Sequence, residues 1–248
     1  MRLIAVMLLT VSALGLSAVG HASDKLYLYT ENYPPYNMSA TGRAFEHKAE
    51  QIDGLCTELV EAILANTDLD FSIKLRNWEY GYQRALNKPN HGIFCTALND
   101  ERAELFKWVG PLTTIAWTVF GPANSDLQIR SLEDARGHTF GGYRNDVMSV
   151  FLKERGFEVS ELDSNDLNPK RLALGQIDLW LVDRLTGYYL AAAQDIDDLQ
   201  ELYAFNETEL YLALNPETPD AMVATLQQAL ERVHRSGMFE AIETKWGL

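Results

Sequence analysis

Arg102 is the side chain whose type and position most directly suggest chemistry. It lies in the stretch GIFCTALNDERAELFKWVGP, after an apolar run at residues 93–95 and a polar loop at residues 96–99. The apolar run reads as a buried strand, and the charged turn beyond it as the start of a helix. In open α/β sheets ligands sit beyond the carboxyl ends of the strands, where helix N-termini present free N–H groups. A guanidinium placed there is a fixed, forked cation suited to a carboxylate. The competing reading is a surface arginine paired with Asp100 or Glu101.

The other reactive side chains give less direction. No His-Glu-x-x-His, Gly-x-Ser-x-Gly, phosphate-cradling glycine loop, dinucleotide fingerprint or Cys-x-x-Cys occurs in the chain. His47, His91, His138 and His234 are scattered and read as surface or helix residues. Nothing points to a metal or an organic cofactor. Carboxylates are plentiful, so acid–base catalysis stays open, but spacing singles out no pair. Cys56 and Cys95 lack metal-ligand spacing, which leaves a disulfide or two small buried residues.

The elements that must position Arg102 alternate between strand and helix. Residues 25–30 alternate as a strand, which Tyr33-Pro34-Pro35-Tyr36 stops, because two prolines cannot continue a sheet. Asp53-Gly54 precedes a helix with Leu55, Leu59 and Ile63 on one face; a strand at 69–75, a helix at 78–86 and a strand at 93–98 follow. This β-α-β-α-β order implies a parallel sheet covered by helices. Past Pro111 a second αβ group begins, with strands at 115–120, 139–142, 157–162 and 177–182. Helices fall at 146–155 and 169–174, and from Asp183 to residue 193. Residues 199–205 and 209–214 are extended. A long helix with Met222, Leu226, Leu230 and Val233 on one face then leads to a short one near Trp246. If these last helices pack on the first group, the chain crosses between the groups twice, near residues 111–120 and 205–211, which makes a hinged cleft.

The N-terminus, MRLIAVMLLTVSALGLSAVGHASD, has one arginine, an apolar run and small residues at Gly20 and Ala22, and reads as a secretory signal peptide over residues 1–22. Its removal takes away Arg2 and no acid, so 226 residues remain and the net charge goes from −14 to −15. The acidic balance argues against nucleic acid or anionic lipid as a partner. The expected address is the periplasm, where disulfides persist.

Taken together, Asn32-Tyr33-Pro34-Pro35-Tyr36, Asp53-Gly54-Leu55, Glu101-Arg102 with Phe106, Gly137, the stretch 178–183 and Lys245-Trp246 resemble the family 3 periplasmic solute-binding proteins, the amino-acid receptors of ABC importers. The resemblance covers essentially the whole chain after the signal peptide. It implies an α/β, two-lobed periplasmic binding protein fold of type II topology with a double-crossover hinge. Lobe 1 would be residues 23–112 and 208–248, and lobe 2 residues 113–207. It also implies a monomer that binds a small solute, an amino acid or a related compound, without catalysis or cofactor, and that docks on an ABC permease.

Carried over by position, Arg102 matches the arginine that grips the ligand carboxylate and Asp183 the acid that takes its ammonium. Tyr33 and Trp78 match aromatic positions that sandwich the side chain. Two places depart from the pattern. Ala97 stands where a serine is common, with Thr96 beside it, and Asn145-Asp146-Val147 replaces Gly-Thr-Thr at the start of the second lobe's helix. That helix N-terminus would otherwise offer N–H groups to a carboxylate. Here Asp146 is expected to cap them and to repel an anion, with Arg144 partly offsetting it. An enzyme resembling the cyclohexadienyl dehydratases and a receptor feeding a sensor are the alternative functions on this scaffold.

Overall fold

The computed structural model describes residues 25–144 and 146–246. The expected signal peptide lies outside the described residues.

Apolar strands buried on both faces organise the first half. Strand β1 (Leu26–Thr30) has almost no exposed side chain, and a hairpin of β2 (Met38–Ser39) and β3 (Ile52–Asp53) follows the loop after it. Helix α1 (Leu55–Ala65) buries Leu55, Leu59 and Ile63, as their helical spacing predicts. Strand β4 (Phe71–Leu75), helix α2 (Trp78–Asn87) and strand β5 (His91–Ala97) complete this half, with β4 and β5 both parallel to β1. Asn77 caps α2 by accepting the Tyr80 N–H.

The second half repeats the plan. Strands β7 (Thr139–Tyr143), β8 (Glu158–Leu162) and β9 (Leu179–Asp183) are parallel neighbours, joined through α3 (Val147–Glu154) and α4 (Asn168–Ala173), and α5 (Arg184–Ala192) follows β9. Two long antiparallel strands, β6 (Lys107–Gly121) and β10 (Gln200–Leu214), run between the halves. They join all the larger strands into one eight-stranded sheet, in the order β4-β1-β5-β10-β6-β9-β7-β8. The far part of β10 pairs with β5, and the far part of β6 with β9. Each long strand therefore serves both halves.

The continuity of these strands departs from the sequence expectation. Residues 199–205 and 209–214 read as two extended segments, and Pro111 as a break. In the structure Pro111 lies within β6, where the register with β10 shifts between Leu210 and Leu212, so its missing N–H falls at an irregularity and leaves no ladder bond unmade. Gly110 is required just before it: φ is 154°, and a Cβ there would come within 2.5 Å of the Tyr211 ring. A further shift between Phe205 and Glu207, with Asn206 at φ 52°, carries β10 through the polar Asn-Glu-Thr-Glu run.

After β10 the chain returns. Helices α6 (Asp220–Arg235) and α7 (Met238–Trp246) pack against α1, with Met222, Leu226, Leu230 and Val233 buried. Arg232 donates to the Asn66 carbonyl (2.7 Å), and Lys245 and the Trp246 indole both reach Glu58. The chain thus crosses twice, and no described helix is long and apolar enough to cross a membrane.

Candidate functional site

The site lies where the carboxyl ends of β1, β5, β7 and β9 meet between the halves. Glu31 follows β1 directly. The loop after it is fixed by local bonds: the Tyr33 N–H donates to Asn37 O (2.8 Å), and the first N–H groups of α1, from Leu55 and Cys56, donate to Pro35 O (3.0 Å) and Tyr36 O (2.9 Å). Gly54 permits this contact, since φ is 121° and a Cβ would stand 2.4 Å from Tyr36 O. The loop therefore caps α1 while it presents two stacked rings, Tyr33 and Tyr36, with centroids 5.9 Å apart. Tyr36 is fully buried, and its hydroxyl crosses to the other half to donate to Asp183 Oδ2 at 2.8 Å. A second crossing contact joins the Tyr189 hydroxyl to Met38 Sδ at 3.2 Å.

In the second half two buried aspartates each cap a helix. Asp146 Oδ2 accepts from the N–H groups of Met148 (3.1 Å) and Ser149 (3.0 Å) at the start of α3. Asp183 Oδ2 accepts from the Thr186 N–H (3.0 Å) at the start of α5. The self-capping of Asp146 expected from sequence is what the structure contains, and it leaves the α3 terminus without those donors for an anion.

Electrostatics ties these groups into one cluster. Burial raises Glu31 to about 7, with Asp146 adding to the rise and Arg102 opposing it. Burial likewise raises Asp146 to about 6, against its bonds from Ser149, Met148 and Tyr143. Asp183 is raised by burial, opposed by Thr186 and Tyr36. Tyr33, Tyr36 and Tyr143 are all pushed well above the ordinary phenol, first by burial and then by neighbouring carboxylates. They remain neutral hydroxyls at every physiological pH.

Arg102 supplies the opposite charge. The turn after β5 is set by Asn99, whose side-chain oxygen accepts the Arg102 N–H at 3.0 Å. The guanidinium lies over the rings of Trp78 (5.2 Å) and Tyr82 (5.5 Å), with Nη1 3.5 Å from Ala97 O. Neither Asp100 nor Glu101 pairs with it, and among the described residues it has no ion-pair partner. A disulfide joins Cys56 at the start of α1 to Cys95 in β5, with Cα atoms 6.0 Å apart, so the chain carries the bridge and not two free thiols. Cys95 sits at φ 61° where the pairing of β5 with β10 skips a residue. The bridge pins the Tyr33–Tyr36 loop and the Arg102 turn to each other.

The remaining expected positions divide. Trp78 lies under Arg102, and Tyr33 joins the acidic cluster. Thr96 is buried, with its hydroxyl turned back to Ile93 O (3.2 Å), and Ala97 contributes its carbonyl. Arg144 does not offset Asp146. It pairs with Asp163 at 2.9 Å, because β7 and β8 run in register from Tyr143 opposite Leu162, which makes the next residues of the two strands neighbours. Arg102 and Asp183 also differ from a simple facing pair: Arg102 acts on Glu31, while Asp183 is held by Tyr36. Sequence reasoning did not single out Glu31, Tyr36, Tyr143 or Thr186. The one signal available was position, since Glu31 and Tyr143 end or follow strands of the parallel groups.

A cavity of about 360 Å³ opens beside this cluster, lined by Tyr36, Ala116, Asp183, Tyr188 and Glu207. A hollow of about 510 Å³ lies elsewhere, on α2 among Asn77, Tyr80, Gln83 and Arg84; it is more open and holds none of the buried carboxylates.

No protein-family model matches the chain, and no curated protein sequence matches it. Solved structures do match its fold. A histidine kinase sensor domain with similarity to periplasmic binding proteins superposes with a TM-score of 0.77 at 20% identity, covering 90% of this chain and 96% of that one. The arginine-, lysine-, histidine-binding protein ArtJ from Geobacillus stearothermophilus gives 0.73 at 18%, covering 90% and 95%. The ancestral amino acid-binding protein AncCDT-1, a precursor of cyclohexadienyl dehydratase, gives 0.71 at 15%, covering 90% and 94%. The fold is the two-lobed periplasmic binding protein fold, and the double crossover on β6 and β10 is its hinge ribbon.

Proposed function

We propose that this chain is a receptor for a small amino-acid-type solute, which it binds between two closing lobes and delivers to an ABC permease. In this reading residues 1–22 direct export and are removed, and the receptor is a periplasmic monomer. Lobe 1 comprises residues 23–112 and 208–248 and lobe 2 residues 113–207, with β6 and β10 flexing between them. The observation that carries the reading is a guanidinium stacked on two rings in one half, without an acidic partner among the described residues, and two buried aspartates, Asp146 and Asp183, in the other. Arg102 takes the ligand carboxylate and Asp183 its ammonium, while Tyr33 and Trp78 cover the apolar part. Because the groups come from both lobes, binding and closure are coupled. The resemblance in sequence motifs and the shared fold support the same reading.

A thermal-shift panel of amino acids, followed by calorimetry, tests it: a ligand at a hundred times its dissociation constant adds about 2.7 kcal/mol of stability. No response to any amino acid would overturn the proposal. Glu31 favours a second reading, an enzyme of the cyclohexadienyl dehydratase type, because a carboxyl held near 7 is suited to general acid–base work. Turnover of prephenate or arogenate by the purified chain decides for it.

A further inference from the structure

We propose that the outer face of α2 docks an acidic segment of a second protein, with Tyr80 and Arg84 as its anchors and Lys74 and Lys88 at its rim. This face lies outside the cleft, so it serves whatever solute the cleft takes.

The face exists because the two sides of the first-half sheet are covered unequally. Strand β1 alternates, so Leu26 and Leu28 join the core under α1, while Tyr27 and Tyr29 turn to the α2 side. Helix α1 is large-residued and backed by α6 and α7, whereas α2 buries only Gly81 and Ala85. A Cβ on Gly81 would stand 3.0 Å from Tyr29 Cβ and 3.1 Å from Ile93 Cδ1, so the helix lies close on the sheet without spreading large side chains over it. The rings beside it form a continuous series. Tyr27 stacks on His91 (centroids 4.7 Å apart) and His91 on Tyr29 (5.8 Å), Tyr29 meets Tyr80 edge to face (5.8 Å), and the Arg84 guanidinium lies over Tyr80 (5.0 Å). The series ends at the surface, where Tyr80 is 41% exposed.

Positive charge surrounds these rings. Lys74 on β4 is the register partner of Tyr29 and lies on the same face, and Arg84 and Lys88 line the hollow of about 510 Å³ together with Tyr80. Among the described residues none of the three cations is in an ion pair, and Glu79, which lines the same hollow, pairs with neither Arg84 nor Lys88. On a chain with 35 acidic residues against 21 basic ones, this group runs against the overall charge, and a partner bearing carboxylates is its complement.

The shape favours a protein over a small anion. Every residue lining the hollow comes from the stretch 77–88, so it is the flank of one helix and not an enclosure of the kind that holds small molecules. An exposed tyrosine beside an arginine is the combination that anchors protein interfaces, and lysine belongs to their polar rim. The same helix also reaches the cleft: Trp78 and Tyr82 lie under Arg102, while Tyr80 with Arg84 faces outward. A partner seated on α2 therefore touches the helix on which Arg102 rests.

A photo-reactive benzophenone residue placed at Gln83 of the full chain, expressed in cells of the strain that encodes it, tests this. Illumination should give one protein adduct, mapped by mass spectrometry to a segment carrying Asp or Glu, and the same residue placed at Gln228 on α6 should not. Arg84→Glu combined with Lys88→Glu should cut the yield at least about tenfold, and Tyr80→Ala about fivefold, with thermal midpoints like the parent's. Replacing the mapped acid of the partner by lysine should restore the adduct to the charge-reversed chain. Raising the salt from about 0.05 M to about 0.5 M during illumination of spheroplasts should lower the parent's own yield, a readout that needs no charge-reversed variant to fold. An adduct to lipid or glycan, to a second copy of this chain or to a segment without acids overturns the proposal. So does a yield that charge reversal and salt leave unchanged, or the absence of any adduct.

Discussion

The two shoulders of the cleft handle charge in opposite ways. On the β5 shoulder Arg102 is held by flat aromatic contact with Trp78 and Tyr82 and by one long approach to Ala97 O, so its donors remain available. On the β7 and β9 shoulder the carboxylates of Asp146 and Asp183 are already engaged with helix N–H groups, and Asp183 also with Tyr36. A helix N-terminus in a cleft can serve an anionic ligand or an internal acid, but not both. Here the second half has given its helix termini to its own acids. In the proposed receptor, recognition of the ligand carboxylate therefore falls to Arg102.

The largest effect expected from this contrast is at Arg102. Arg102→Ala should weaken amino-acid binding by more than tenfold, a cost of about 2–5 kcal/mol, because the ligand carboxylate is left without a partner in a site largely shielded from water. Calorimetry measures it. A variant that binds as tightly as the parent would move the anion site to the other shoulder.

The geometry of the β5 shoulder depends on the Cys56–Cys95 bridge, which closes a loop with a sequence separation of 39. Its removal in a Cys56→Ser, Cys95→Ser variant should lower stability by about 2–4 kcal/mol. Urea denaturation with and without reductant reads this directly, and the parent should converge on the variant once reduced.

Tyr36→Phe separates the contribution of the lobe-to-lobe contact from that of charge. It deletes the hydroxyl donated to Asp183, at an expected cost of about 1.5–3 kcal/mol, and should raise the Asp183 pKa further, since that bond favours the carboxylate. Denaturant midpoints of the ligand-free proteins measure the first part, and NMR titration of Asp183 the second.

The smallest expected effect is on pH dependence. Asp146 raises and Arg102 lowers the Glu31 carboxyl, while the Glu31 and Asp146 charges both raise Tyr33 and Tyr143. The folded values of Glu31 and Asp146, about 7 and about 6, lie above those of free carboxyl groups. In the empty protein their favourable contribution is therefore complete only below the unfolded values, and it is lost as pH rises through 6 to 7. Denaturant midpoints of the ligand-free protein should therefore fall as pH rises from about 6 to about 8, and Glu31→Gln should flatten that fall. A midpoint that is flat over this range would mean that the two carboxyl groups are not raised in the folded protein.

Some of the site was legible in the residues and some was not. Arg102 stood out because it follows a short apolar run and a loop, the position at which parallel sheets present side chains to ligands. The Asp146 cap was legible because capping is local: a side chain and the N–H groups two and three residues later meet whatever the rest of the chain does. Glu31 was not legible, since a glutamate after a strand looks like any solvated charge. The groups that act on it, Asp146 and Arg102, come from other parts of the chain, brought near only by the fold. Arg144 went the other way, because the in-register pairing of β7 with β8 gave it Asp163 as a partner.

By itself the sequence determined the two αβ groups and the amphipathic character of the long last helix, because periodicity, prolines and glycines act over a few residues. Tertiary structure alone decided that β6 and β10 run unbroken between the halves, that Cys56 meets Cys95, and that the Tyr36 hydroxyl of one half meets Asp183 of the other. Those outcomes depend on register shifts and on contacts between distant segments, whose energies appear only when the sheet is assembled.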